Sequence, residues 1–369
     1  MMESPRLVNL VDSRINEFLV SRDSIVERIA PELAPFTQYS RDLLSGGKRF
    51  RAQFCYWGWR AVSPANTASA VPSENDLDVL VDLCAGLEIF HAAALVHDDI
   101  IDNSDTRRGM PSVHRRFESL HQGEGWRGPG RTFGEGSAIL LGDLLLAWSD
   151  ELIAHAVLGA PSLETHLATR AAVDLMRTEV TLGQYLDLME ERAWPTVGLD
   201  ESLDRALRVI VYKSAKYSVE APLVIGASLR GASTAQLDSL RRFGLPLGIA
   251  FQLRDDLLGV FGDAERTGKP SGDDLREGKR TALVALTRAR LDPPSRRLFD
   301  ELLGDPDLDD AQIRMLQQTM RETGAVLEIE TMIAERLKAA LGELERASLG
   351  DTARAELASL ARRITQRES

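Results

Sequence analysis

The stretch HDDIID holds Asp98, Asp99 and Asp102, and of these Asp98 and Asp102 are best placed by type and spacing to hold a hard cation. Positions 98 and 102 fall about one helical turn apart and share a face. Like charges at that spacing destabilise a bare helix, so a cation between them would account for their presence. Carboxylate oxygens suit Mg²⁺, which keeps some of its waters and is completed by the phosphate oxygens of a substrate. Leu87, His91 and Ala94 lie within roughly 60° of the same stripe at about 100° per residue. One face thus runs from carboxylates through an imidazole into small and apolar side chains.

The theme returns in FQLRDDLLGVFGD, with Asp255 and Asp256, Gln252 one turn before, and Gly248 and Phe251 on the same stripe. Two carboxylate-bearing helices facing one another would make a metal cage at the mouth of a helical bundle. Cationic side chains accompany both motifs. Arg107 and Arg108, just past the first, either neutralise it or hold phosphate oxygens bidentately. SGGKRFR sets Lys48, Arg49 and Arg51 behind Gly46 and Gly47, whose backbone can approach an anion closely, although the same string also suits an ordinary turn. VYKSAKYS carries Lys213 and Ser214 in an apolar helix; Lys213 fits a functional role and Lys216 a side chain reaching out to solvent. GQYLD offers Gln184 and Asp187, and GKPSGDDLREGKRT offers Lys269 and Lys279.

The elements that must position these groups read as helices. Apolar residues recur at three- and four-residue steps through 76–104, 138–158, 163–192, 202–229, 234–261, 280–291 and 311–365, the last broken. Ser73 and Asp76 form a capping signature before the first of these. No alternating strand pattern repeats. Segments 63–75 and 121–136 look like surface connections, whereas 261–279 is too rich in carboxylates and cations for a passive linker. None of them separates two self-sufficient cores, so the expectation is one all-α domain over residues 1–369.

Composition narrows the function classes. A net charge of −12 argues against nucleic-acid binding but not against an anionic substrate, since bound cations invert the local sign. The N-terminal stretch lacks a signal-peptide core, and no unbroken run of some 18 apolar residues is present, so neither export nor a transmembrane segment is expected. Two cysteines, Cys55 and Cys84, without a CxxC spacing suggest reduced core thiols in a cytoplasmic protein.

GGKRFR, EIFHAAALVHDDIIDNSDTRRG, ILLGDLLLA, GQYLD, YKSA and FQLRDDLLGVFGDAERTGKPSGDDLREGKRT occur in the order found in trans-isoprenyl diphosphate synthases, the polyprenyl synthetase family. The chain resembles that family over roughly 46–281, and most of all its bacterial geranylgeranyl diphosphate synthase-like members. The resemblance implies an isoprenoid synthase-type helical bundle around a deep central cavity, usually a homodimer. It implies that Gly47, Lys48, Arg51, His91 and Arg108 bind isopentenyl diphosphate, and that Asp98, Asp102 and Asp255 hold a cluster of about three Mg²⁺ ions on the allylic diphosphate. Arg107, Lys213, Lys269 and Lys279 would contact that diphosphate, with Ser214 and Gln252 beside the reacting carbons. Three departures stand out. Gly259 replaces the last aspartate of the second DDxxD, Ser214 stands where threonine is usual, and Ala52 where proline is frequent.

The implied reaction joins isopentenyl diphosphate to dimethylallyl, geranyl or farnesyl diphosphate. Residues four and five before the first aspartate, Ala94 and Ala93, help set product length in the family. Small side chains there leave room for a twenty-carbon product, with Phe90 a candidate floor one turn deeper; farnesyl or longer polyprenyl diphosphates are the neighbouring outcomes. A class I terpene cyclase would need only one diphosphate pocket. Glu88–His91 and Glu118–His121 have the Glu-x-x-His spacing of di-iron bundles, a reading that would leave the basic motifs without a role. A non-catalytic partner subunit would not need the retained acidic and basic groups.

Overall fold

The computed structural model describes residues 4–62, 74–262 and 272–366. Two compact units emerge, Met1–Ala172 with Pro222–Ala232, and Val173–Ala221 with Ser233–Ser369.

The first unit holds α1 (Ser4–Ile29), α2 (Ala34–Leu44), α3 (Phe50–Ala61) and α4 (Glu74–Ile101). A two-residue ribbon follows, β1 (Thr106–Arg107) against β2 (Met110–Pro111), then α5 (Val113–Gly123), α6 (Gly130–Leu158) and the first turns of α7 (Leu163–Ala193). Helix α4 is apolar on nearly every side, the pattern of a helix enclosed in protein: Leu80, Leu83, Cys84, Ala85, Leu87 and Ile89 are all fully buried. It packs chiefly on α6, and also on α1 and α3. Over Asn75–Ile101 its mean hydropathy, 1.9, and its length would suffice to cross a bilayer, although Asp82 and Glu88 interrupt the apolar run. The stretch is 78% buried, so its greasiness serves the core. Cys55 and Cys84 are both free and buried, as anticipated.

Helix α6 begins at Gly130, well inside a segment expected to be a surface connection. The packing of Phe133 on His121 (5.2 Å) and Trp126 (5.1 Å) overrides the low helix propensity of its glycines.

The second unit contains the rest of α7, α8 (Leu199–Val209), a π-helix (Ile210–Glu220) that runs into α9 (Ala221–Leu229), which from Pro222 onward belongs to the first unit, and then α10 (Thr234–Phe261). After it come α11 (Asp273–Glu277), α12 (Ala282–Arg290), α13 (Pro293–Leu302), α14 (Asp310–Glu322), α15 (Ala325–Arg346) and α16 (Asp351–Thr365). The single helix expected over 202–229 is therefore three pieces. Helix α10 starts at a capping box in which Ser233 and Gln236 satisfy each other's backbone amides. Its apolar face, with Leu253, Leu257 and Val260, is buried with Leu283, Met320 and Ile329. On another face Arg254 grips Glu330 through two bonds (2.7 and 2.5 Å) and donates to the Thr365 carbonyl (2.9 Å). Those bonds fix the helix that carries Asp255.

Candidate active site

In the first unit the predicted cations gather around His91. Its imidazole pKa is pushed well below the usual range, first by desolvation and then by Arg51, Arg108, Arg107 and Arg49, so the ring is neutral. Arg108 adopts a left-handed backbone (φ 54°) and donates to the carbonyls of Leu43 and Ser45, each at 3.3 Å. That ties the arginine to the glycine loop, and a Cβ at Gly47 would fall 3.6 Å from its Nη2. The Lys48 carbonyl accepts a bond from the Gln53 amide at 2.5 Å, which fixes the loop beside α3.

Helix α4 carries Asp98 and Asp99 in its last turn, which has no basic residue, and Asp102 directly follows its end at Ile101. Carboxylates there face the negative end of the helix dipole, the unfavourable arrangement. Arg107 compensates in part. It bonds Asp99, which is 1% exposed, through Nε (2.9 Å) and Nη2, and lies 3.8 Å from Asp98. Asp98 and Asp102 remain partly exposed on one stripe. Among the chain-length positions, Ala93 is fully buried, Phe90 is 5% exposed, and Ala94 is the more open of the three.

In the second unit Lys213 forms an ion pair with Asp187, and Ser214 follows it on the π-helix. Gly248 of α10 lets the Ala215 carbonyl approach to within 2.5 Å of where a Cβ would stand. Gln252 donates to Asp256 at 2.8 Å; burial, followed by Asp274 and Asp255, raises the Asp256 pKa to about 8. Lys279 contacts Glu277 (2.7 Å) and Asp274 (3.8 Å). Lys269 lies outside the described residues, as does Ser73.

The polyprenyl synthetase family model matches residues 34–320, most of the chain. This chain belongs to the polyprenyl synthetase family. A geranylgeranyl pyrophosphate synthase from Corynebacterium glutamicum, solved with isoprenyl diphosphate and magnesium, superposes with a TM-score of 0.90 at 37% identity and 99% coverage of both chains. A geranylfarnesyl diphosphate synthase of Natronomonas pharaonis is 30% identical over 89% of this chain and 91% of its own. A short chain isoprenyl diphosphate synthase of Methanocaldococcus jannaschii is 29% identical over 79% and 80%. The all-α isoprenoid synthase fold and the prenyltransferase class follow.

Several residues of this polyprenyl synthetase were not assigned from sequence. Arg49 points inward, 5% exposed, in a left-handed conformation (φ 48°), and pairs with Asp12, Glu88 and the Leu44 carbonyl. Glu88 also accepts the Ala52 amide (3.0 Å), while Glu118 pairs with Arg115 (2.7 Å) and His121 lies 3.2 Å from the Arg127 carbonyl. Glu88, Glu118 and His121 are thus engaged in the scaffold, and the family match leaves no place for the di-iron alternative. Asp99, between the two candidate ligands Asp98 and Asp102, anchors Arg107. No sequence signal marks these partners, because each lies distant in the chain or on the far side of a helix.

Proposed function

We propose that this polyprenyl synthetase is a Mg²⁺-dependent enzyme joining isopentenyl diphosphate to an allylic diphosphate, with geranylgeranyl diphosphate as its main product. The observation that carries the reading is Arg108, held at the Gly47 loop by the Leu43 and Ser45 carbonyls, with its charge felt at His91 on the helix whose end carries Asp98. Arg49 and Arg107 are already paired with carboxylates, but Arg108 at the glycine loop suits a diphosphate. It is separate from the carboxylates that would serve a metal-bound one, and a cyclase with a single diphosphate substrate has no use for it.

Gly47, Lys48, Arg51, His91 and Arg108 hold isopentenyl diphosphate. Arg107, Lys213, Lys269 and Lys279 contact the allylic diphosphate, and Ser214 and Gln252 lie beside the reacting carbons. Asp98, Asp102 and Asp255 are the ligands for a cluster of about three Mg²⁺ ions. The donor set fits: hard carboxylates a turn apart, at a helix end whose dipole calls for a cation. Among the described residues no three His, Cys, Asp or Glu side chains converge on one point. Mg²⁺ does not require that, because water and phosphate complete its shell. When bound, the metal neutralises charge developing on the departing diphosphate. The side chains supply position: the basic pocket holds the alkene where the allylic cation forms, making a two-substrate encounter a single oriented step.

Open Ala94 above buried Phe90 supports a product longer than fifteen carbons. A homodimer is supported by α7, which exposes Leu167, Leu175, Leu182 and Tyr185 at helical spacing, each more than half open to solvent. The family match spans both units, which supports one catalytic domain over residues 1–369. Its two buried free thiols fit a cytoplasmic setting.

The test is incubation of the purified chain with labelled isopentenyl diphosphate, each allylic starter and Mg²⁺, followed by sizing of dephosphorylated products. Twenty-carbon alcohol is expected, and mainly fifteen carbons would overturn the product assignment. Asp98→Ala and Asp255→Ala should each lower turnover at least about a thousandfold; near-normal rates in both would sink the metal assignment.

A further inference from the structure

The GQYLD segment of α7 has no role in the reading above, yet its geometry singles it out. Glu179, Gly183 and Asp187 stand one helical turn apart and make a stripe along α7. The π-helix crosses that stripe at its middle. A Cβ on Gly183 would lie 2.5 Å from the Tyr212 carbonyl carbon and 2.8 Å from Lys213 Cα, so only glycine admits the crossing backbone. On either side of this contact a carboxylate takes a lysine. Asp187 pairs with Lys213, and Glu179 with Lys216. All four side chains are about four-fifths buried. The Lys216 ammonium also lies 5.2 Å from the centre of the Tyr212 ring.

We propose that Asp187 is a positioning residue: across the Gly183 crossing it holds the Lys213 ammonium in the orientation in which it meets the allylic diphosphate. The inference rests on the proposed role of Lys213. An ammonium on a four-carbon stem has many rotamers, and ordering it only on binding costs affinity. Pairing with a fixed carboxylate pre-orders the stem before substrate arrives. The wide π-turn gives Lys213 a direction that a regular α-turn would not, and π-bulges are frequent at functional sites. Glu179 and Lys216 supply a built-in control, because they repeat the same helix crossing with a lysine that has no substrate assigned.

Calorimetry of inorganic diphosphate with Mg²⁺ reads the effect without turnover. The wild type should bind, Asp187→Asn should bind about tenfold to hundredfold more weakly, and Asp187→Glu should recover most of the loss. Glu179→Gln should leave affinity within about threefold while lowering the melting temperature about as much as Asp187→Asn. Steady-state kinetics should place the Asp187→Asn defect on the allylic substrate, with KM for isopentenyl diphosphate unchanged. Equal losses of affinity in Asp187→Asn and Glu179→Gln would mean the pair merely staples two helices and would overturn the proposal. So would unchanged affinity in Asp187→Asn. A wild type that binds no diphosphate with Mg²⁺ would instead bring down the functional reading beneath it.

Discussion

Gly259 and Asp274 compete for one space: a Cβ on Gly259 would stand 2.9 Å from Asp274 Oδ1 and closer still to Oδ2. The position where DDxxD motifs carry their last aspartate is here filled by a carboxylate from α11. Glycine inside a helix ordinarily costs up to about 1 kcal/mol relative to alanine. At this site Gly259→Ala should bring no gain, because the new methyl must push Asp274 aside. In an Asp274→Ala background the same change should stabilise by about 1 kcal/mol. Urea unfolding of the four proteins measures the coupling; simple additivity would show that the two positions do not compete.

Arg107 and Asp99 carry two effects that one substitution confounds. Arg107→Ala leaves a nearly fully buried carboxylate without its main partner and should cost about 3 kcal/mol or more. The pair Asp99→Asn with Arg107→Gln removes both charges and should recover most of that stability. Its turnover should stay low if Arg107 also serves the allylic diphosphate. Full recovery of both would make the arginine purely structural.

His91 should impose a pH dependence on stability. Its folded-state pKa is depressed, by burial first and neighbouring arginines second, so the unfolded chain binds a proton that the folded chain refuses. The contribution is fully present above the unfolded value near 6.5 and is lost as pH falls from there towards the folded value. Relative to His91→Gln, the wild type should lose at most about 1.4 kcal/mol per pH unit below that point. Parallel curves for the two proteins between pH 7.5 and 5 would contradict the depressed imidazole.

Arg51→Ala should raise KM for isopentenyl diphosphate about tenfold or more, with the allylic KM little changed. Initial rates at varied concentrations of each substrate separate the two. A defect confined to the allylic substrate would show that the two diphosphate sites are exchanged.

Phe90→Ala should shift products beyond twenty carbons, since it opens the position one turn below Ala94. Its stability should fall by about 3 kcal/mol, the usual cost of emptying a packed aromatic site. Chromatography of dephosphorylated products decides. An unchanged product length would leave Phe90 a core residue only.

The chain by itself determined the all-α class, the positions of most helices, and the residue types needed for carboxylate, basic and hydroxyl chemistry. Helical periodicity and short motifs are local properties, and neighbours within a turn or two settle them. Only the tertiary structure decided which way equivalent-looking residues turn. Arg49 and Arg51 are two residues apart, yet Arg49 is drawn into the protein by Asp12 and Glu88, each more than thirty-five positions away. Asp99 sits between two candidate ligands but faces inward to Arg107. The π-turn at Lys213 exists where α7 has no side chain, at Gly183, and carboxylates one turn to either side. A buried charge goes where its partner is, and partners distant in sequence meet only when the chain folds.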